Sequence, residues 1–158
     1  MTPRRSAWLV AALLLGSGAW SVGAQAGGST MVVPVQPLTF GNLLPGVPEA
    51  VSIHDVPRRA VIALSGSSAV DVAFLLPAAL ESPDGGSIPL QFGSADAALM
   101  PSVVSPPLPI NPHESRRVVL APDHSTHLIL GGLALPARGQ RPGHYSARVI
   151  VLISQPGT

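Results

Sequence analysis

Apolar and polar residues alternate near the end of the chain, which is the pattern of a β-strand with one buried face. In an extended strand successive side chains point to opposite faces, so every second residue shares a face. One such face holds Tyr145, Ala147, Val149, Val151 and Ile153. An earlier run places Val70, Val72, Phe74 and Leu76 on one face in the same way. The alternation therefore predicts two strands that each pack one face into a core.

Shorter apolar runs of the same kind recur between these strands, separated by glycine, proline, serine and aspartate. They cover residues 31–40, 51–56, 59–65, 88–92, 118–120 and 126–135. No run after residue 26 has the stripe of an amphipathic helix, although residues 94–100 are long enough for one helical turn. Short strands at this spacing predict an all-β protein, an antiparallel immunoglobulin-like sandwich of about seven strands.

The first of these runs has an ambiguous role. Met31, Val33 and Val35 alternate as in a strand, but Pro34 and Pro37 lack the amide hydrogen that a central strand must donate. The run therefore belongs at a sheet edge. Two roles are compatible with it: the first edge strand of its own domain, or a donor strand that completes a neighbouring molecule.

A proline-rich stretch interrupts the strand pattern, since five of the twelve residues from 101 to 112 are proline. We expect an extended surface connection there, because so many prolines exclude a regular sheet interior. The connection is either a stiff spacer between sheets or, together with Arg116 and Arg117, a surface for recognising a partner.

The beginning of the chain has the features of an export signal. Arg4 and Arg5 precede an apolar run from residue 7 to 15, and small residues follow, with cleavage predicted after Ala26 or Ala24. A transmembrane span needs roughly 20 apolar residues. The apolar run here is shorter, so a cleaved signal is favoured and an uncleaved anchor is the alternative interpretation. We predict a signal peptide over residues 1–26 and a single β-sandwich domain over residues 27–158. The mature protein is then periplasmic, cell-surface or secreted, with no transmembrane anchor.

Charge and composition remove several function classes. Cleavage removes two of the nine basic residues, leaving 9 − 2 = 7 against 8 acidic ones, a net charge of −1. Four of the remaining seven arginines form two isolated pairs, at residues 58–59 and 116–117, rather than a basic stripe, so nucleic acid is not an expected partner. Cysteine is absent, which excludes thiol catalysis, iron–sulfur clusters and thiolate zinc sites.

Candidate catalytic or metal-binding residues are few. His124 and His127 are three positions apart, so on a strand their rings point to opposite faces, and two ligands are fewer than zinc requires. No serine lies in a nucleophile elbow, and the alternating acidic residues of a calcium loop are missing. The sequence predicts no catalytic residue, no cofactor and no metal site, and therefore a protein that is not an enzyme.

Several short motifs occur in an order that is typical of one bacterial family. Leu38-Thr39-Phe40-Gly41 is followed by Pro45-Gly46, later by Leu130-Gly131-Gly132-Leu133, and finally by Gln140, Gly143 and Tyr145. This order resembles the family catalogued as domain of unknown function 4402, and the resemblance covers nearly all of residues 27–158. We predict that six residues of these motifs have a structural role: Phe40, Gly41, Gly131, Gly132, Gly143 and Tyr145.

The resemblance also implies a function. Members of the family are exported and are similar to fimbrial and spore-coat-U-type sandwiches. We therefore expect a structural or assembly protein, a fimbrial or surface-coat subunit that is joined to itself or to other envelope proteins by β-strand addition. The chain departs from fimbrial subunits in having no cysteine and no aromatic residue after Tyr145. The alternative function is a monomeric exported module that presents loops to a ligand or an envelope partner.

Overall fold

The regular structure of this protein is entirely β-strand in the residues that the computed structural model describes, which are 8–15, 21–23 and 30–156. Among them, no helix is long and apolar enough to cross a membrane. The described strands are β1 (Trp8–Leu15), β2 (Ser21–Gly23), β3 (Met31–Gln36), β4 (Glu49–Val51), β5 (Ala60–Ser65), β6 (Ala69–Leu75), β7 (Ala79–Glu81), β8 (Ser87–Gln91), β9 (Ala97–Met100), β10 (Leu108–Ile110), β11 (Arg116–Val119), β12 (Thr126–Leu130), β13 (Gly132–Ala134) and β14 (Ala147–Ser154).

All the strand pairs are antiparallel, and they form three sheets. Their strand orders are β11-β6-β14-β1-β2, β10-β9-β12-β5-β3 and β4-β13-β8-β7. Buried side chains from all three sheets, such as Val72, Leu128 and Ile88, belong to one hydrophobic core. This confirms the predicted all-β antiparallel sandwich. The strands outnumber the prediction because several pieces, such as β7 and β13, are only three residues long.

The alternation seen in the sequence determines which side chains enter the core. On β14, Val149, Val151 and Ile153 are at most 3% exposed, whereas the residues between them are partly exposed. The strands β5 and β6 alternate in the same way. The predicted inward faces of β6 and β14 are therefore confirmed over these positions.

The predicted run 126–135 is bent into two strands at Gly131. Its amide donates a hydrogen bond to the carbonyl of Asp96, 2.7 Å away. A Cβ at Gly131 would overlap the carbonyl oxygen of Val51, and a Cβ at Gly132 would lie 2.9 Å from a ring carbon of Phe92. The two glycines thus allow the chain to pass from one sheet into the next at a close backbone crossing.

Three stretches differ from their sequence patterns, and in one of them, residues 51–56, the predicted strand was wrong. Residues 94–100 do not form a helical turn, because Ala97–Met100 is the strand β9, held between β12 and β10. The proline-rich stretch contains the strand β10, and Pro109 is accommodated there because β10 pairs on one side only. The strand predicted over residues 51–56 ends at Val51, and turns follow.

The turns after Val51 cover the outer face of one sheet. Ile53 packs there against Ala98 and Ile129 in a small second core. Arg59 fixes this loop by donating a hydrogen bond to the carbonyl oxygen of Ile53 at 2.7 Å, and its guanidinium lies 3.9 Å from the sulfur of Met100. Ile129 on the outer face of β12 is consequently as buried as Leu128 on its inner face.

Candidate functional site

The outer edge of β14 is paired along its whole length with a segment of the predicted signal peptide. The Cα register runs from Trp8 opposite Ser154 to Leu15 opposite Ala147, eight antiparallel pairs. On its other side β14 pairs with β6 over five residues, from Ile150 to Ser154. β14 is therefore a central strand only because β1 lies beside it.

Signal cleavage at either predicted position would remove β1 and β2 together. The predicted cleavage sites after Ala24 and Ala26 lie outside the described residues, so the signal peptide stays a prediction. In a chain that begins after either position, the outer edge of β14 has no partner from residues 8–15. An open edge of this kind presents unpaired amide and carbonyl groups, which form a template for another strand.

The inner face of β14 defines what an added strand must offer. Val149 and Val151 are fully buried and Ile153 is 3% exposed, so this face belongs to the hydrophobic core. In the register of β1, the positions opposite these three residues are Leu13, Ala11 and Leu9, all of them apolar. Residues directly opposite each other lie on the same face of a sheet. The edge therefore matches an extended segment with apolar residues at every second position.

A groove of about 660 Å³ adjoins the beginning of β14. Its walls include the apolar residues Leu38, Phe40, Leu80 and Ile88, and its remaining lining includes residues 140–146. Ser146 lines the groove and is followed directly by Ala147, the first residue of β14 and the one opposite Leu15. The groove thus adjoins the end of β14 at which a partner strand antiparallel to β14 would finish.

Tyr145 is held in the groove wall by two hydrogen bonds. Its hydroxyl donates to the carbonyl oxygen of Arg141 at 2.7 Å and accepts from the side-chain amide of Gln140 at 2.8 Å. These bonds close the turn of residues 140–145 on itself. The turn is therefore a fixed rather than an adaptable wall of the groove.

The six motif residues divide into two places in the fold. Four of them, Phe40, Gly41, Gly143 and Tyr145, line the groove. Gly41 adopts a φ of +68° and Gly143 one of +158°. The remaining pair, Gly131 and Gly132, lies at the crossing between β12 and β13.

The candidate donor residues Met31, Val33 and Val35 lie on β3, an edge strand of the sheet that contains β12. β3 pairs with β5 in its own domain. The three side chains are 60%, 42% and 57% exposed, while Val32 between them is buried. The side chain of Gln36 donates hydrogen bonds of 2.8 and 2.7 Å to the carbonyls of Val56 and Arg59, which secures the end of the strand.

Several charged side chains outside the groove make local pairs. Arg58 contacts Glu49 and Asp55, and Arg117 donates two hydrogen bonds to Asp71 across β11 and β6. The Arg117 hydrogen bond lowers the pKa of Asp71 below its ordinary value. Within residues 8–15, 21–23 and 30–156, no three acidic or histidine side chains lie close enough together to hold a metal ion.

His127 is the most unusual titratable residue in the described part of the chain. It is half-buried on β12, and its Nδ1 atom is buried with no hydrogen-bond partner among the described residues. Burial lowers its pKa from the ordinary value of 6.5, and the positive charge of Arg59 lowers it further. The folded protein therefore favours the neutral imidazole.

This burial predicts a pH dependence of stability. As the pH falls through 6.5, the unfolded chain takes up a proton at His127 before the folded chain does, so the free energy of unfolding decreases. We expect His127→Gln to lose less stability than the parent protein between pH 7.5 and pH 5, as measured by urea unfolding at both pH values. His124→Gln, an exposed change on the preceding turn, is the control. Equal pH dependence in His127→Gln and the parent would contradict the prediction.

Sequence patterns miss the most important features of this site. Nothing in a run of apolar leader residues indicates pairing with a strand more than 130 positions later. Leu80 and Ile88 are ordinary core residues by pattern, and only the packing shows that they line a groove. The signal that was available is the clustering of turn residues around Tyr145, whose neighbours Gly143 and Gln140 share its groove.

Two comparisons with known proteins were negative. Neither a scan against protein-family models nor a search of curated proteins finds a match for this chain. The resemblance to the family of unknown function is therefore carried by the motif residues alone and stays a prediction.

Proposed function

We propose that this protein is a non-enzymatic, exported structural or assembly subunit that accepts a β-strand from another polypeptide along the outer edge of β14. The observation that carries the proposal is the pairing of β1 with all eight residues of β14. The segment that pairs with this edge belongs to the predicted export signal, which is expected to be cleaved off. Export would then open the edge where assembly takes place.

The physical basis of the interaction is β-strand addition. Backbone hydrogen bonds along an open edge supply affinity, and alternate side chains entering the core supply selectivity. The buried Val149, Val151 and Ile153 supply the apolar face for such an insertion. This mode of binding needs no catalytic group and no cofactor, in agreement with a fimbrial or surface-coat role.

The groove favours a second candidate function, a monomeric exported binding module. Its volume of about 660 Å³ falls in the range of small-ligand sites, and its lining combines apolar residues with a few polar ones. In that role the ligand would contact the turn around Tyr145 rather than the strand edge. The two functions differ in whether β14 gains backbone partners on binding.

The test is hydrogen exchange on β14 in the mature protein, residues 27–158, purified from the periplasm. The probe is a peptide with the sequence of residues 8–15, flanked by lysines for solubility. We expect the peptide to slow exchange along β14 and, at a hundred times its Kd, to raise Tm by about 10 °C. A matched peptide with Ala11 replaced by aspartate places a charge opposite the buried Val151 and is expected to do neither. No protection of β14 by either peptide would refute strand acceptance and leave the binding module.

A further inference from the structure

We propose that the strand accepted by β14 comes from a different polypeptide and not from a second copy of this chain. This inference rests on the proposed function and identifies the class of partner: an extended, apolar segment of about eight residues in another envelope protein. The partner lies antiparallel to β14, as β1 does.

The edge requires a long segment. β14 offers eight residues to its partner, and a strand that pairs with all of them spans about 26 Å at about 3.3 Å per residue. Apolar residues are needed at the positions opposite Val149, Val151 and Ile153, because these three face the core. A shorter or polar segment would leave part of the edge and part of the core without a partner.

The mature chain has too few free residues in front of its first sandwich strand. Between a cleavage after Ala26 and the first residue of β3 there are only four residues, 27–30; cleavage after Ala24 leaves six, 25–30. Their sequence is Gly-Gly-Ser-Thr, preceded in the longer case by Gln-Ala, so no alternating apolar positions are present. This segment meets neither the length nor the chemistry of the edge.

β3 itself is already paired within its own domain. It pairs with β5 from Met31 to Gln36, Val32 is 5% exposed in the core, and Gln36 fixes its end through two backbone carbonyls. A copy that donated β3 would have to open its own sheet and expose β5. Each donated β3 would close one β14 edge and open one β5 edge, so the number of paired strands would not increase.

The groove adds a second contact for the same partner. A strand that pairs antiparallel to β14 ends beside Ala147, and the groove begins at the preceding residue. Residues that follow the paired segment of the partner would then lie near this groove, whose lining includes Phe40 and Leu80. We expect the partner to carry an apolar residue just after its strand, and Leu80→Ser to weaken its binding.

The experiment measures the mature protein from the periplasm by size-exclusion chromatography with light scattering, from low to high micromolar concentration. The two probes are the lysine-flanked peptide of residues 8–15 and a similarly flanked peptide of residues 27–36. The proposal expects a monomer at every concentration that binds the first peptide at least about tenfold more tightly than the second. If the mature chain is insoluble alone, refolding in the presence of each peptide replaces the titration, and recovery of a monomer with the first peptide only is the expected result.

The possible outcomes separate the inference from the function on which it rests. Oligomers that the first peptide dissociates would show that a second copy is the donor, which overturns the inference and keeps strand acceptance. Equal binding of the two peptides by a monomer would also overturn it, because the chain's own first strand would then fit the edge. A monomer that binds neither peptide would overturn the proposed function itself.

Discussion

Replacing Gly131 with alanine is expected to lower the free energy of unfolding by about 3 kcal/mol, which is large for the addition of one methyl group. The new Cβ would overlap the carbonyl oxygen of Val51, a backbone atom that cannot rotate away as a side chain can. Either β4 or the β12–β13 bend has to move. Movement of β4 would strain the pairing of Val51 with Gly132, and movement of the bend would strain the hydrogen bond from Gly131 to Asp96.

The measurement is urea unfolding of the mature protein, followed by far-ultraviolet circular dichroism. Gly139→Ala is the matched control, because a Cβ there has no neighbour within 4 Å. Gly139 also has no positive φ, so its substitution adds no backbone strain. A Gly131→Ala midpoint within error of the Gly139→Ala midpoint would contradict the close crossing that the structure shows.

Much of the sandwich was predictable because its strongest strands are half-buried and therefore alternate. β6 and β14 each place valines on the inner face, and the period of two is visible without any knowledge of their partners. The prolines of the first run also predicted its position correctly, since β3 is an edge strand. Local sequence carries such information because edge position and face are properties of a single strand.

The features that escaped prediction depend on distant parts of the chain. β9 is short, and both Ala97 and Ala98 are buried, so it does not alternate; its strand state is imposed by β12 and β10 on either side. β10 contains Pro109 and is paired on one side alone. Pairing with neighbours outweighs local propensity at these positions, which is the general behaviour of short strands.

The candidate site was predictable only in part, and for the same reason. The turn residues Gly143 and Tyr145 were identified from their order in the sequence, yet that order does not reveal that Phe40 meets them in one groove. The open edge of β14 is even harder to predict from local sequence. It follows from a pairing with residues 8–15 together with the expected loss of those residues on export.

A charge on the inner face of β14 is expected to have the largest effect of any single substitution considered for this protein. Val151→Asp should lower the free energy of unfolding by about 4 kcal/mol or more, because it places an unpaired carboxylate in the core. Val151 is 0% exposed and lies opposite Phe74 on β6. Since domains of this kind are stable by about 5–15 kcal/mol, the variant is expected to be close to the limit of folding.

The neighbouring residue on the same strand provides the control. Leu152 lies on the outer face and is partly exposed, so Leu152→Asp leaves its carboxylate in contact with water and is expected to cost less than about 1.5 kcal/mol. Both variants are measured by urea unfolding. Where a variant is too unstable to give an unfolding curve, the yield of soluble periplasmic protein is measured instead. Equal losses at the two positions would mean that the inward face of β14 is wrongly assigned.

The pH dependence of the Val151→Asp variant distinguishes a buried charge from a simple loss of packing. Burial raises the pKa of the new carboxyl in the folded state above its unfolded value of about 3.9. The unfolded state therefore releases its proton first, and the destabilisation grows as the pH rises above that value. We expect the stability difference between Val151→Asp and the parent to be smaller at pH 4 than at pH 7, while Leu152→Asp shows little change. A difference that is constant with pH would assign the loss to shape alone, and would show that water reaches the inner face of β14 at this position.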